Sequence, residues 1–216
     1  MVQSNLTGLT MNRPTPWFLT CLAAGTRIAT PLGGRSIEQI AVGDLVRTPD
    51  DGPHPVRWHG AQTLDGSDRD APIRITRGTL GNRRDLLVSP QHRMLISGWR
   101  AERLFGCDEG LVPACHLVTD LTIRPAPCPK VTCHPLMSER HQIVLAEGCA
   151  SESFYPGPTA MTHLCRAAHD EITARFARRS GDGPPAIRPP RPPGSSPDAR
   201  RRRSGTSGRR FPSACR

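Results

Sequence analysis

The stretch that decides the fold runs from residue 21 to residue 52: CLAAGTRIATPLGGRSIEQIAVGDLVRTPDDG. A cysteine opens a run of small residues. Gly25-Thr26 marks a turn, and Arg27-Ile28-Ala29-Thr30 then alternates polar and apolar, as a half-buried strand does. A glycine turn at Gly33-Gly34 leads into Ser36–Ile40, a single helical turn with Ile37 and Ile40 inward. Val42-Gly43-Asp44 is a second turn signal, and Leu45-Val46-Arg47-Thr48 resumes the strand pattern.

The same grain continues outward. Val56 and Trp58 alternate with Pro55, Arg57 and His59, and Ile73 and Ile75 alternate with Arg74 and Thr76. Leu86-Leu87-Val88, Met94-Leu95-Ile96 and Ile143-Val144-Leu145 are short apolar runs. Many brief strands separated by turn residues predict an all-β fold up to about residue 160. Beyond Pro158 the period changes. Leu164, Ala168, Ile172 and Phe176 recur every four residues and predict an amphipathic helix over 161–179. Residues 1–20 read as a short leader in which Pro14 and Pro16 break any regular element. Residues 180–216 are Pro, Gly, Ser and Arg with almost no apolar side chain. Such a segment has too little surface to bury against its chain entropy and reads as disordered.

Charge follows this division. Of the net +10, the segment from Arg166 onward carries most, with thirteen arginines against Asp170, Glu171, Asp182 and Asp198. The body is nearly neutral and the tail is a polycation. No apolar run approaches the roughly 20 residues of a membrane-spanning helix. The glycines lack the period of three of a collagen. Eight cysteines invite a disulfide framework. The first 20 residues lack the basic start and apolar core of a secretory signal, so reduced thiols and a cytoplasmic location are the expectation.

Two further blocks carry chemistry: DLLVSPQHRML at 85–95 and ERHQIVLAEGCASESFYPG at 139–157. With the first stretch they supply a thiol at a strand start, a histidine in a turn, and a second histidine before an apolar strand. In this order the three blocks resemble the Hint (hedgehog/intein) domain family, in the bacterial type with SPQH and AEGxxSESFxPG blocks. The resemblance covers roughly residues 19–160. It implies a compact, pseudo-twofold all-β fold and self-catalysed rearrangement of the Thr20–Cys21 peptide bond.

By that resemblance Cys21 attacks the Thr20 carbonyl and converts the amide to a thioester. His92 supplies the proton that the leaving nitrogen needs, and Ser89 holds the scissile amide by a hydrogen bond. His141 overlays the block that carries a further intein histidine. An intein ends in His-Asn, and the asparagine cyclises to release the C-terminal flank. Here the matching positions are about Glu152 and Ser153, neither of which forms a succinimide, so splicing is not expected. The thioester would be resolved by water or another small nucleophile, with the chain's own N-terminal flank as substrate. One departure is local. His134 lies one residue off the family's aromatic-x-His pattern, and a one-residue shift in a strand reverses the face a side chain takes.

Other readings stand beside this one. The alternative is a catalytically inactive Hint-fold interaction module. Cys107, Cys115, His116, Cys128, Cys133 and His134 offer zinc ligands, but without paired C-x-x-C knuckles, so no metal or other cofactor is called for. The Arg200–Arg203 run and Arg209-Arg210 suit weak, salt-sensitive nucleic-acid binding, with no interleaved aromatics to stack on bases.

Overall fold

The computed structural model describes residues 20–177, apart from 68, 69, 107, 120 and 163. The leader before Thr20, the arginine-rich tail with its expected disorder and nucleic-acid contacts, Cys107 and the side chain of Phe176 lie outside the described residues.

The first half holds β1 (Leu22–Ala23), β2 (Arg27–Thr30), β3 (Gly33–Ser36), β4 (Leu45–Thr48), β5 (Gly52–His59), β6 (Gln62–Gly66), β7 (Ile73–Ile75) and β8 (Leu86–Val88). The second half holds β9 (Arg93–Ser97), β10 (Glu109–Pro113), β11 (Ile123–Pro125), β12 (Cys128–His134), β13 (Leu136–Ser138), β14 (Ile143–Ala146) and β15 (Cys149–Glu152). They form two six-stranded sheets, ordered β11-β7-β8-β1-β12-β6 and β10-β9-β15-β14-β2-β3, and a smaller sheet ordered β13-β5-β4. The strand pairs are antiparallel. The all-β expectation is met.

Alternation explains the core. Ile28, Val46, Val56, Ile73, Ile75, Met94 and Ile96 sit on the inward faces of their strands, and Ile37, which opens the short 3₁₀ turn Ile37–Gln39, and Ile40, which caps it, join them. Period-2 patterning puts one side of each strand into the same apolar cluster. Strands without that pattern escaped the sequence reading. β1 has two residues, β10 begins Glu109-Gly110, and β12 carries Pro129 and Lys130 in a bulged segment between Cys128 and Val131. The sequence also gave no signal for a short helix, α1 (Trp99–Phe105), which is anchored by the fully buried Ala101.

The expected C-terminal helix occurs as two elements, α2 (Pro158–Thr162) and α3 (Arg166–Ala177). They lie against the β-domain. Ile172 is buried with Trp58, Met137 and Phe154, while Leu164 and Ala168 pack at the edge of this cluster. Trp58 Nε1 donates to Glu171 Oε2 at 3.1 Å. Among the described residues no helix is long and apolar enough to cross a membrane.

The AEG portion of the third block is a structural fastening. Ala146 pairs with Cys149, so Glu147-Gly148 is a two-residue hairpin loop. Both residues have positive φ, 51° and 89°, as a type I′ turn requires. Glu147 is also buried, and its carboxylate accepts from the Arg27 backbone N–H at 2.7 Å and from Arg84 Nη2 at 2.6 Å and Nε at 3.0 Å. Its backbone N–H donates to Arg27 O and its carbonyl accepts from Arg83 N. One residue therefore ties β2, the β14–β15 hairpin and the loop before β8 together. Glu147→Gln keeps the shape and removes the charge. Because Arg84 is half-exposed and screened, the expected loss is about 1–2 kcal/mol, read as a lower urea midpoint at unchanged m-value.

Candidate active site

Cys21 owes its place to β1. This two-residue strand lies between β8 and β12, with Leu22 opposite both Val88 and His134 and Ala23 opposite Cys133. At the end of β8, Ser89 N–H donates to the Cys21 carbonyl at 3.1 Å, and the Cys21 N–H donates to Ser89 Oγ at 3.2 Å. The nitrogen of the Thr20–Cys21 peptide bond is thus held by a buried serine hydroxyl. Both residues are about 1% exposed.

Ser89 and His92 belong to one turn, closed by His92 N–H donating to Ser89 O at 3.0 Å. SPQH is therefore a β-turn that places the hydroxyl at its first corner and the imidazole at its last. The His92 ring is buried. Its Nε2 hydrogen-bonds Ser151 Oγ, and its Nδ1 has no partner among the described residues. Burial pushes its pKa down to about 4, with Glu152 pulling up and His141 pushing further down. His92 is neutral at pH 7.

Glu152 closes the other side of Thr20. Its Oε1 accepts from Thr20 Oγ1 at 3.1 Å and from Arg93 N–H at 2.8 Å. His141 Nε2 lies 3.3 Å from Glu152 Oε2, a contact that is an ion pair only when the imidazole is protonated. Both side chains are buried, and Tyr155 packs edge-on to the His141 ring. Burial alone raises the Glu152 carboxyl. The approach of His141, the nearby His92 and the Arg93 N–H outweigh burial and hold the pKa below the usual carboxylate value.

Thus Cys21 and Ser89 are in direct contact, with His92 in the same turn as Ser89. His141 reaches Thr20 through Glu152. In the sequence Glu152 stands out only as the residue at about the position of an intein histidine. Its signal was a Ser151-Glu152-Ser153 run of polar residues that the strand pattern nonetheless buries. Ser151, the partner of His92, was missed in the same run.

The thiols require a correction. Against the expectation of reduced cysteines, Cys21 and Cys133 form a disulfide, with Cα atoms 5.4 Å apart and a sequence separation of 112. The cause is register: β12 pairs with β1, and alternation puts Cys133 with Val131 on the Cys21 side. His134 faces away from Cys21 and stacks on His59, with ring nitrogens 3.1 Å apart. Of the remaining thiols, Cys115, Cys128, Cys149 and Cys165 are free. Cys149 is buried and inert, its pKa raised to about 12 by desolvation.

A family model for the Hint domain matches residues 20–158. This chain belongs to the Hint-domain family. As a Hint domain it falls in the general class of self-processing domains. No curated protein matches it. Among solved structures it is similar to the gp41-1 intein, with 16% identity, a TM-score of 0.42, and coverage of 61% of this chain and 97% of that one. It is also similar to a bacterial intein-like domain from Clostridium thermocellum, with 16% identity, a TM-score of 0.44, and coverage of 62% and 97%. A third is the MchDnaB-1 intein, with 15% identity, a TM-score of 0.42, and coverage of 61% and 98%.

Desolvation of three histidines predicts that this Hint domain loses stability in acid. His92, and with it His59 and His134, has a folded pKa below the unfolded value near 6.5, chiefly through desolvation. The unfolded chain therefore binds more protons below that pH. Stability present above pH 6.5 is lost as pH falls towards 4. For His92 alone the loss is about 3 kcal/mol across that window. Urea midpoints taken between pH 7 and pH 4 should fall accordingly, and His92→Gln should flatten the profile.

Proposed function

We propose that this Hint domain activates and cleaves its own Thr20–Cys21 bond by an N–S acyl shift and does not splice. The observation that supports this most is the hydrogen bond from the Cys21 amide to Ser89 Oγ at 3.2 Å, because it fixes the nitrogen that must leave. The Cys21 sulfur attacks the Thr20 carbonyl carbon, an S–C bond forms, the C–N bond breaks, and the nitrogen becomes the amine of Cys21. The proton lost by the thiol ends on that amine. His92 is neutral at pH 7, so it relays this proton rather than delivering one from a stored imidazolium. Water or another nucleophile then adds to the thioester carbonyl, and the Cys21 thiolate departs. With water, residues 1–20 leave with a free carboxylate.

The reaction needs a free thiol, and the Cys21 sulfur is bonded to Cys133. A dithiol reductant converts the disulfide to two thiols while it becomes a cyclic disulfide. A cytoplasmic setting would supply such reductants. The capped sulfur equally favours the alternative, an inactive Hint-fold interaction module, and one assay separates the two.

Full-length chain is treated with dithiothreitol and then hydroxylamine, and intact mass is followed. Wild type should lose residues 1–20, and Cys21→Ala should not. His92→Ala should slow the loss by about 10²–10⁴-fold. Unreduced wild type should stay intact, whereas Cys133→Ser should react with hydroxylamine without prior reduction. An unchanged mass in reduced wild type and in Cys133→Ser leaves the interaction-module reading.

A further inference from the structure

Resting on the cleavage reading, we propose that Glu152, His141 and the Arg93 backbone form a subsite for the side chain of residue 20, selective for a hydroxyl-bearing amino acid. The Thr20 side chain is held by a group separate from the one that holds its peptide nitrogen. Thr20 Oγ1 donates to Glu152 Oε1 at 3.1 Å, while Ser89 takes the Cys21 N–H. The scissile unit is therefore gripped at two points on either side of the carbonyl that the thiol must reach.

The receiving carboxylate is built in rather than incidental. Glu152 ends β15 opposite Ile143, is 5% exposed, and takes its second donor from the first residue of β9. Its other oxygen is approached by His141, whose side chain is also buried. A carboxylate that is 5% exposed depends on its protein donors, because solvent has little access to replace a missing one. The hydroxyl of residue 20 is one of them.

This arrangement sets an order of preference. Serine keeps the donor. Valine has the shape of threonine but leaves the carboxylate one donor short, the situation in which a polar site discriminates most. Aspartate brings a second negative charge against the first and is rejected more strongly. No such order follows if Thr20 merely occupies space.

The test uses reduced full-length chain and the rate at which hydroxylamine releases residues 1–20. Thr20→Ser should react within about threefold of wild type, and Thr20→Val about tenfold more slowly, the effect of one lost hydrogen bond to a carboxylate. Thr20→Asp should be slower still. In the Glu152→Gln background the threonine-over-valine ratio should shrink towards one, and the aspartate penalty should fall with it. Equal rates for Thr20→Val and wild type, or a ratio unchanged by Glu152→Gln, overturn the subsite while leaving cleavage intact. An unreactive wild type overturns the cleavage reading and, with it, any role of the subsite in reaction. The contact itself has a readout without chemistry. In a Cys21→Ala background, Thr20→Val and Glu152→Gln should shift the melting temperature non-additively, and additive shifts overturn it.

Discussion

The arrangement of the site depends on one short piece of strand pairing. Leu22-Ala23 fills the gap between β8 and β12, and its register decides what surrounds Cys21. Through Val88 it brings Ser89 to the Cys21 amide, and through His134 and Ala23 it brings Cys133 to the Cys21 sulfur. A two-residue strand contributes little stability of its own. It is held because both neighbours are anchored in apolar clusters, Leu22, Val88 and Ile73 on one side and Ala23, Leu64 and Val131 on the other. A one-residue slip in this ladder would turn each of these side chains to the opposite face.

Two buried glutamates divide the remaining work. Glu147 is satisfied by a guanidinium and one backbone donor and fastens a tight hairpin to β2. Glu152, five residues on, has a backbone donor, a histidine and the hydroxyl of the residue before Cys21. Both carboxylates are held below their usual pKa against the cost of burial. The first has a cation for partner and a purely architectural setting. The second has a neutral hydroxyl from the chain's own flank, which is the setting of a recognition group. The AEG and SESF segments, adjacent in sequence, thus serve different ends of the same hairpin.

Electrostatics also limits how the buried imidazole can act. His92 is 1% exposed, so its charged form is disfavoured by desolvation and its pKa is pushed down to about 4. The ring's hydrogen-bond partner is the buried Ser151 hydroxyl. The same burial favours the folded state at neutral pH over acid.

Much of this was legible in the residues themselves. Alternation at Arg27–Thr30, Val56–Trp58 and Ile73–Ile75 is local, and period-2 burial turns it directly into strands and a core. The ordered blocks around Cys21, Ser89-Pro90-Gln91-His92 and Ala146-Glu147-Gly148 pointed to the family, because turns and caps are written in residue types. What the chain order alone did not decide was which distant side chains meet. The Cys21–Cys133 pairing spans 112 residues, Thr20 to Glu152 spans 132, and His92 to Ser151 spans 59. Such contacts depend on strand register and sheet order, quantities with no local signature, and only the tertiary structure set them.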